Sequence, residues 1–379
     1  MVQIKPDWLT NSATQSVFAL LKDHQVFAVG GCVRNALLGE PVHDIDMATS
    51  ALPETVLALA KTAGLRAIPT GIDHGTLTVI AEDTAFEITT FRKDVETDGR
   101  RAVVAFSTDI EDDARRRDFT MNALYADASG HILDPVQGVA DIETRTVRFI
   151  DNANDRIRED YLRSLRFFRF CAFYVPPENG FETEALDAIA RNLPGLVTLS
   201  RERVGSELKR LLEAPNPAPA VAAMRATGVL ATVLPGADDT ALGPLVALEE
   251  QSGAPPDSLR RFAILGGDTD TLRLSRKETD TLAALKNAAG QTPRHLGYKL
   301  GAARGLDAAL ITAASLGQPL DLQTKTTIEN ASNQTFPVVA ADLMPAYQGK
   351  ALGDRLRQLE TQWIDSAFTL SKTDLLAKG

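Results

Sequence analysis

Residues 30–49 read GGCVRNALLGEPVHDIDMAT, and the sense made of this stretch decides the fold of everything around it. Before it stands Val26 to Val29, VFAV, a short apolar run of β type that stops at paired glycines. Val33 to Leu38 then allows a short helix, and IDMAT, from Ile45, is again strand-like. On a strand, a period of two sends Asp44 and Asp46 to one face and Ile45 into the core. Two carboxylates that close repel, and a divalent cation between them relieves the repulsion. A solvated turn after GEPVH explains the same two residues without a metal, and both readings stand on these residues alone.

The glycines bear on the choice. At a strand-to-helix junction they let backbone N–H groups approach phosphates, with the helix dipole in support. Arg34 adds a charge-assisted contact suited to a triphosphate. A tight turn also accounts for Gly30-Gly31, and the stretch has neither the Walker pattern nor the third glycine of the dinucleotide pattern. Magnesium is the natural cation for such carboxylates, because it takes hard oxygen ligands and keeps substrate phosphates in its shell. Glu87, in FEITTF, is a candidate third carboxylate on a neighbouring strand; an ordinary exposed strand residue is the alternative.

Outward from this stretch, Pro53 to Ala63 predicts a helix ending near Gly64. Leu77 to Ile80 and Ala85 to Phe91 alternate as a hairpin around the turn AEDT. Residues 92–106, RKDVETDGRRAVVAF, read as a polar, glycine-containing loop able to move. From Asp151 the period changes. Ile157, Tyr161, Leu162, Leu165, Phe168 and Ala172 follow the 3.6-residue repeat of one amphipathic helix. Helices are expected at Glu182 to Asn192 and Ser200 to Leu212, a loop at APNPAPA (214–220), and mostly helix beyond. The fold class expected is α+β: a mixed α/β head (1–150), a helical neck (151–215) and a helical body and tail (216–379).

Length and composition fit that plan. The chain has 379 residues, 44% of them apolar, enough for two or three cores. The net charge of -10 argues against indiscriminate coating of nucleic acid by the whole surface, while arginine gathers at 115–117 and 156–169. Two cysteines, Cys32 and Cys171, have no metal or disulfide spacing. No run of eighteen apolar residues occurs, and the first residues lack a signal pattern, so a cytoplasmic protein without a membrane span is expected.

With GGCVRNALLGEPVHDIDMAT, the segments TTFRKD, RRRDFTMNALYAD, DPVQGVADIETRTVRFI and REDYLRSLRFFRF follow in order. Together they resemble the tRNA nucleotidyltransferase/poly(A) polymerase family, the bacterial-type class of polymerase-β-like nucleotidyltransferases. The resemblance covers most of residues 28–212 and is looser beyond about 215. It implies that Asp44 and Asp46 bind metal and that Gly31, Arg34 and Arg117 contact the triphosphate, while Glu87 stays a catalytic candidate from its strand position alone. It implies further that Asp160, Arg163, Arg166 and Arg169 form the nucleotide-binding series of the neck. Asn35 departs from the aspartate usual there and is given no catalytic role.

The activity implied is template-independent, magnesium-dependent addition of C, C and A to tRNA 3′ ends from CTP and ATP, through two metal ions and with release of pyrophosphate. A poly(A) polymerase, an enzyme adding part of the CCA end, and a non-catalytic RNA-binding protein are the alternatives. No stable protein partner is implied. Asp160 and Arg163 stand three apart, so a plain i,i+3 ion pair competes with a base-edge reader in which arginine donates and aspartate accepts. Arg166 and Arg169 would contact phosphates or buttress Asp160, or form a solvated positive face. Arg203 and Glu207 have the spacing of an i,i+4 pair.

Overall fold

The computed structural model describes residues 2–98 and 101–377. Contacts divide the chain into two compact units, Met1–Glu207 with Ala223–Val233, and Leu208–Ala222 with Leu234–Gly379.

The first unit is built on a seven-stranded sheet of order β3-β4-β5-β2-β1-β8-β9. Its strands are β1 (Val26–Val29), β2 (Ile45–Thr49), β3 (Arg66–Gly71), β4 (Thr76–Ala81), β5 (Thr84–Thr90), β8 (Tyr125–Ala126) and β9 (Ile132–Leu133). The β2–β5 pair is parallel and sets Asp46 opposite Glu87; the other pairs are antiparallel. In β4 alternate residues are buried (Leu77, Val79, Ala81), the signature of a strand with one face in the core. Glu82 and Asp83, both at positive φ, close the β4–β5 hairpin, the conformation that matches strand twist. Beneath the sheet Val29, Ala48, Phe91, Ala123, Tyr125 and Ile150 form one buried cluster.

Residues 92–106 were expected as a loop, but β6 (Arg92–Asp98) and β7 (Arg101–Phe106) pair as a separate two-stranded hairpin. The apolar VVAF end of the segment supplies the β propensity that its polar first half masks. Residues 99 and 100, within that expected loop, lie outside the described residues.

A second correction concerns the neck. Instead of one helix there are two, Ala153–Glu159 and Leu162–Tyr174, separated at Asp160, whose backbone is extended (φ -153°, ψ 104°). One Asp160 carboxylate oxygen accepts from the Leu162 N–H at 3.1 Å, the local bond by which aspartate competes with helix continuation. The apolar repeat runs through the break because Leu162, Leu165 and Phe168 still point into the core. There Phe119 packs on Phe149 and Phe170 with ring centroids 5.0 Å apart in each case, and Phe167 lies at 5.8 Å from Phe149. Helices Thr183–Arg191 and Arg201–Leu212 stand where the sequence places them. The expected loop at 214–220 is shorter, since Ala218–Ala226 is helical with Pro219 in its first turn, where a missing N–H costs nothing.

The second unit is helical. Helices Leu242–Ser252, Ser258–Leu265, Arg276–Asn287, Pro293–Ser315 and Thr324–Ser332 pack around Leu245, Leu285, Leu296, Leu310 and Ile328. Gly297 lets Pro293–Ser315 lie against Thr324–Ser332: a Cβ there would stand 2.3 Å from the Ile328 carbonyl oxygen. Gly349–Asp365 gathers Leu359, Trp363 and Ile364 into a terminal cluster with Leu375. A fully buried charge network, Arg260 and Arg261 on Glu249 with Asp307 beyond, ties three of these helices together. Among the described residues no helix is long and apolar enough to cross a membrane.

Candidate active site

β1 ends at Gly30, whose φ of 73° belongs to the region glycine alone adopts freely, and helix Gly31–Leu38 starts at the next residue. This turn forms one wall of a cavity of about 350 Å³ in the first unit. Gly31, Arg34, Asp46, Arg117, Asp160, Arg163 and Arg166 all line it. Seven residues from four stretches of sequence, singled out for a triphosphate, a metal and a base, thus border a common space. Asp44, Glu87 and Arg169 do not line it.

β2 starts at Ile45, one residue later than a strand carrying both aspartates requires. Asp44 immediately precedes the strand, and Asp46 stands exposed between buried Ile45 and Met47. Although Asp46 is reached by solvent, the crowded wall around it removes part of its hydration, and Glu87 and Asp44 add negative potential. Together these outweigh nearby Arg117 and push its carboxyl up to about 6. Among the described residues no three His, Cys, Asp or Glu side chains gather closely enough to hold a metal by themselves. The donors at hand are carboxylate oxygens, which suit a hard divalent ion that completes its shell with water and substrate oxygens.

Arg34 is buried and held by neutral acceptors, the side-chain oxygens of Asn35 and Asn122 and the Tyr174 hydroxyl. Burial lowers its pKa from the usual arginine value, as expected where no carboxylate touches it. Asn35 also donates to the Pro41 carbonyl at 2.7 Å, a bond that an aspartate could not make. The Arg34 guanidinium lies 5.0 Å from the Phe170 ring and 4.4 Å from that of Tyr174. Arg166 and Arg169 also stand over Phe170, at 5.6 and 4.8 Å.

Asp160 and Arg163 form no pair with each other's side chains. Asp160 accepts from Arg203 at 2.6 Å, while Arg163 donates to Glu159 at 2.5 Å and to the backbone carbonyls of Arg156 and Arg116. The i,i+3 geometry fails because the helix is broken at Asp160 itself. Arg166 pairs with Asp118 at 2.6 Å, and Arg169 with Glu207 at 2.6 Å. Arg203 and Glu207 therefore do not pair with each other as their spacing suggested; each reaches across to the neck. Asp113, Asp118, Asn122 and Phe170 were not singled out from the sequence, and Arg203 was named only as a partner for Glu207. Asp118 and Asn122 had a signal in their place in RRRDFTMN, and Phe170 in closing REDYLRSLRFFRF.

Residues 26–148 match the family model described as poly A polymerase head domain, and residues 180–240 match the probable RNA and SrmB-binding site of polymerase A. The mitochondrial CCA tRNA nucleotidyltransferase 1 of Danio rerio is 45% identical over 184 residues, 48% of this chain and 43% of that protein. The CCA-adding enzyme of Geobacillus thermodenitrificans (strain NG80-2) is 42% identical over 218 residues, 56% of this chain and 51% of that one. The chain thus spans about half the length of the curated relatives it matches. Among solved structures, the CCA-adding enzyme of Bacillus stearothermophilus in complex with CTP superposes with a TM-score of 0.77 at 28% identity, over 96% of this chain and 94% of the other.

Proposed function

We propose that the chain is a member of the tRNA nucleotidyltransferase/poly(A) polymerase family that it resembles and that it adds C, C and A to tRNA 3′ ends from CTP and ATP without a template. The observation that carries this reading is the shared cavity, in which a glycine turn with arginines, an electronegative carboxylate and a pair of potential base readers meet.

In the proposed reaction the tRNA 3′-hydroxyl attacks the α-phosphate of a bound triphosphate. A new O–P bond forms, the bond between the α-phosphorus and the bridging oxygen breaks, pyrophosphate leaves and the hydroxyl proton is released. Gly31 admits the phosphates to the helix N-terminus, and Arg34 and Arg117 offset the charge that grows on their oxygens. Asp44 and Asp46 are the proposed metal ligands and Glu87 the third catalytic carboxylate; its place opposite Asp46 supports that role. Magnesium, as two ions shared with the phosphates, would supply a more acidic attacking hydroxyl and a stabilised leaving group.

Asp160 and Arg163 would read the base edge, one accepting and the other donating. Arg166 and Arg169 would steady that helix and the phosphates. In this scheme residues 1–150 carry the chemistry, 151–215 choose the nucleotide, and 216–379 hold tRNA, in the cytoplasm. A poly(A) polymerase or an enzyme adding part of the end shares these parts.

Purified protein with magnesium, each labelled triphosphate, and tRNAs lacking A, CA or CCA separates the outcomes. Ordered C, C, A addition that stops is expected. A long A tract would select the polymerase, addition confined to C or to A a partial enzyme, and no incorporation a binding protein.

A further inference from the structure

Asp113 lies in EDDARRR, a stretch that reads as solvated charge, yet its side chain is fully buried. One carboxylate oxygen, Oδ2, accepts from Arg117 Nε at 3.1 Å, from Arg117 Nη2 at 2.9 Å and from the Tyr125 hydroxyl at 2.8 Å. The other, Oδ1, accepts from Arg116 Nε at 3.0 Å. Burial pushes this carboxyl up, but Arg117 and Arg116 pull it further the other way, to about 2. It is therefore an anion at any working pH. Burial would lower the Arg117 pKa, and Asp113 with Tyr125 more than reverses that, so the guanidinium stays charged.

The direction of the grip is informative. Asp113 takes hold of Nε and Nη2, two donors on one edge of the planar fork, and the Tyr125 ring lies 5.5 Å from the guanidinium carbon. Nη1 is left on the opposite side, 3.6 Å from where a Cβ on Gly30 would stand. That is the glycine turn at the cavity wall. One negative charge shared by Arg116 and Arg117, both of which line the cavity, leaves one net positive charge there.

We infer that Asp113 is a positioning residue: it fixes the Arg117 guanidinium so that Nη1 faces the glycine turn, ready for the triphosphate before the triphosphate arrives. The inference rests on the reading of the cavity as a triphosphate site. An arginine held in this way gives up little side-chain freedom on binding, whereas a loose one would lose it from the affinity. An asparagine at this place turns an N–H2 group or a weaker acceptor toward three donors that need an anion.

The test is equilibrium dialysis of labelled CTP and ATP, without tRNA, against wild type, Asp113→Asn, Asp113→Glu and Tyr125→Phe, with KM for tRNA measured separately. Asp113→Asn is expected to weaken both triphosphates alike by about tenfold or more, the scale of losing a charge-assisted hydrogen bond. KM for tRNA should stay within about twofold, a split that general destabilisation does not produce. Asp113→Glu should recover part of the loss. Tyr125→Phe, which keeps the core ring, should weaken both triphosphates less and in the same direction, and it decides the matter if Asp113→Asn does not fold. Wild-type binding with unchanged affinity in the folded variants overturns the inference alone. A wild-type protein that binds neither triphosphate overturns the triphosphate reading and the inference with it.

Discussion

Arg203 donates to Asp160 at 2.6 Å across forty-three residues of sequence, so the carboxylate proposed to face the base is oriented from the neighbouring helix Arg201–Leu212. Its two oxygens are divided between that guanidinium and the Leu162 N–H. Removing the guanidinium frees one oxygen to turn. Arg203→Ala is therefore expected to raise misincorporation of UTP and GTP relative to CTP and ATP by roughly tenfold, the lower end for a hydrogen bond to a charged group in a partly exposed site. Single-nucleotide incorporation with each triphosphate measures it. Unaltered selectivity would make the pair a structural tie only.

Asp44→Ala should abolish incorporation at any magnesium concentration while leaving the thermal midpoint nearly unchanged. Asp44 is exposed and outside β2, so its removal opens no cavity. Substantial turnover by the variant would remove Asp44 from the metal site.

Phe119 is fully buried between Phe149, Phe167 and Phe170. Truncation to alanine is expected to cost about 3–5 kcal/mol by chemical denaturation, as for other buried aromatics. Because these rings seat the helix that bears Arg163 and Arg166, affinity for triphosphate should fall in the fraction that still folds. A loss of stability with intact affinity would mean that the helix is held by other contacts.

Glu278 closes a capping box with Ser275 and pairs with Lys209, and the Lys209 bond comes first among the causes that draw its carboxyl down from 4.5 to about 2. The folded state thus binds this proton less readily than the unfolded chain. Its contribution is complete above the unfolded value and fades as pH falls from about 4.5 toward 2. In denaturation series the deficit of Glu278→Gln should be constant above that window and shrink as pH falls through it. A deficit independent of pH would assign the effect to the cap's shape instead of its charge.

Much of the head was legible because its signals are local. The β4–β5 hairpin follows from alternation and its turn, and the Gly30-Gly31 junction from a conformation that few other residues tolerate. The break at Asp160 was hidden because the apolar repeat continues through it; a side-chain bond to the backbone, not hydrophobicity, ends the first helix. Asp113 looked solvated because its partners, Arg116, Arg117 and Tyr125, meet it only in the fold. Arg203 and Glu207 were paired by spacing, but longer contacts to Asp160 and Arg169 win. Spacing on a helix says which side chains are neighbours and nothing of what stands opposite.

Phe170 lies under Arg34, Arg166 and Arg169 together. A single aromatic ring serving three cations behaves as a shared bearing: tilt it, and every load resting on it shifts at once. Retuning one of these grips independently therefore means leaving that ring in place and altering the outer partners, Asn122, Asp118 or Glu207, each of which answers to fewer of them.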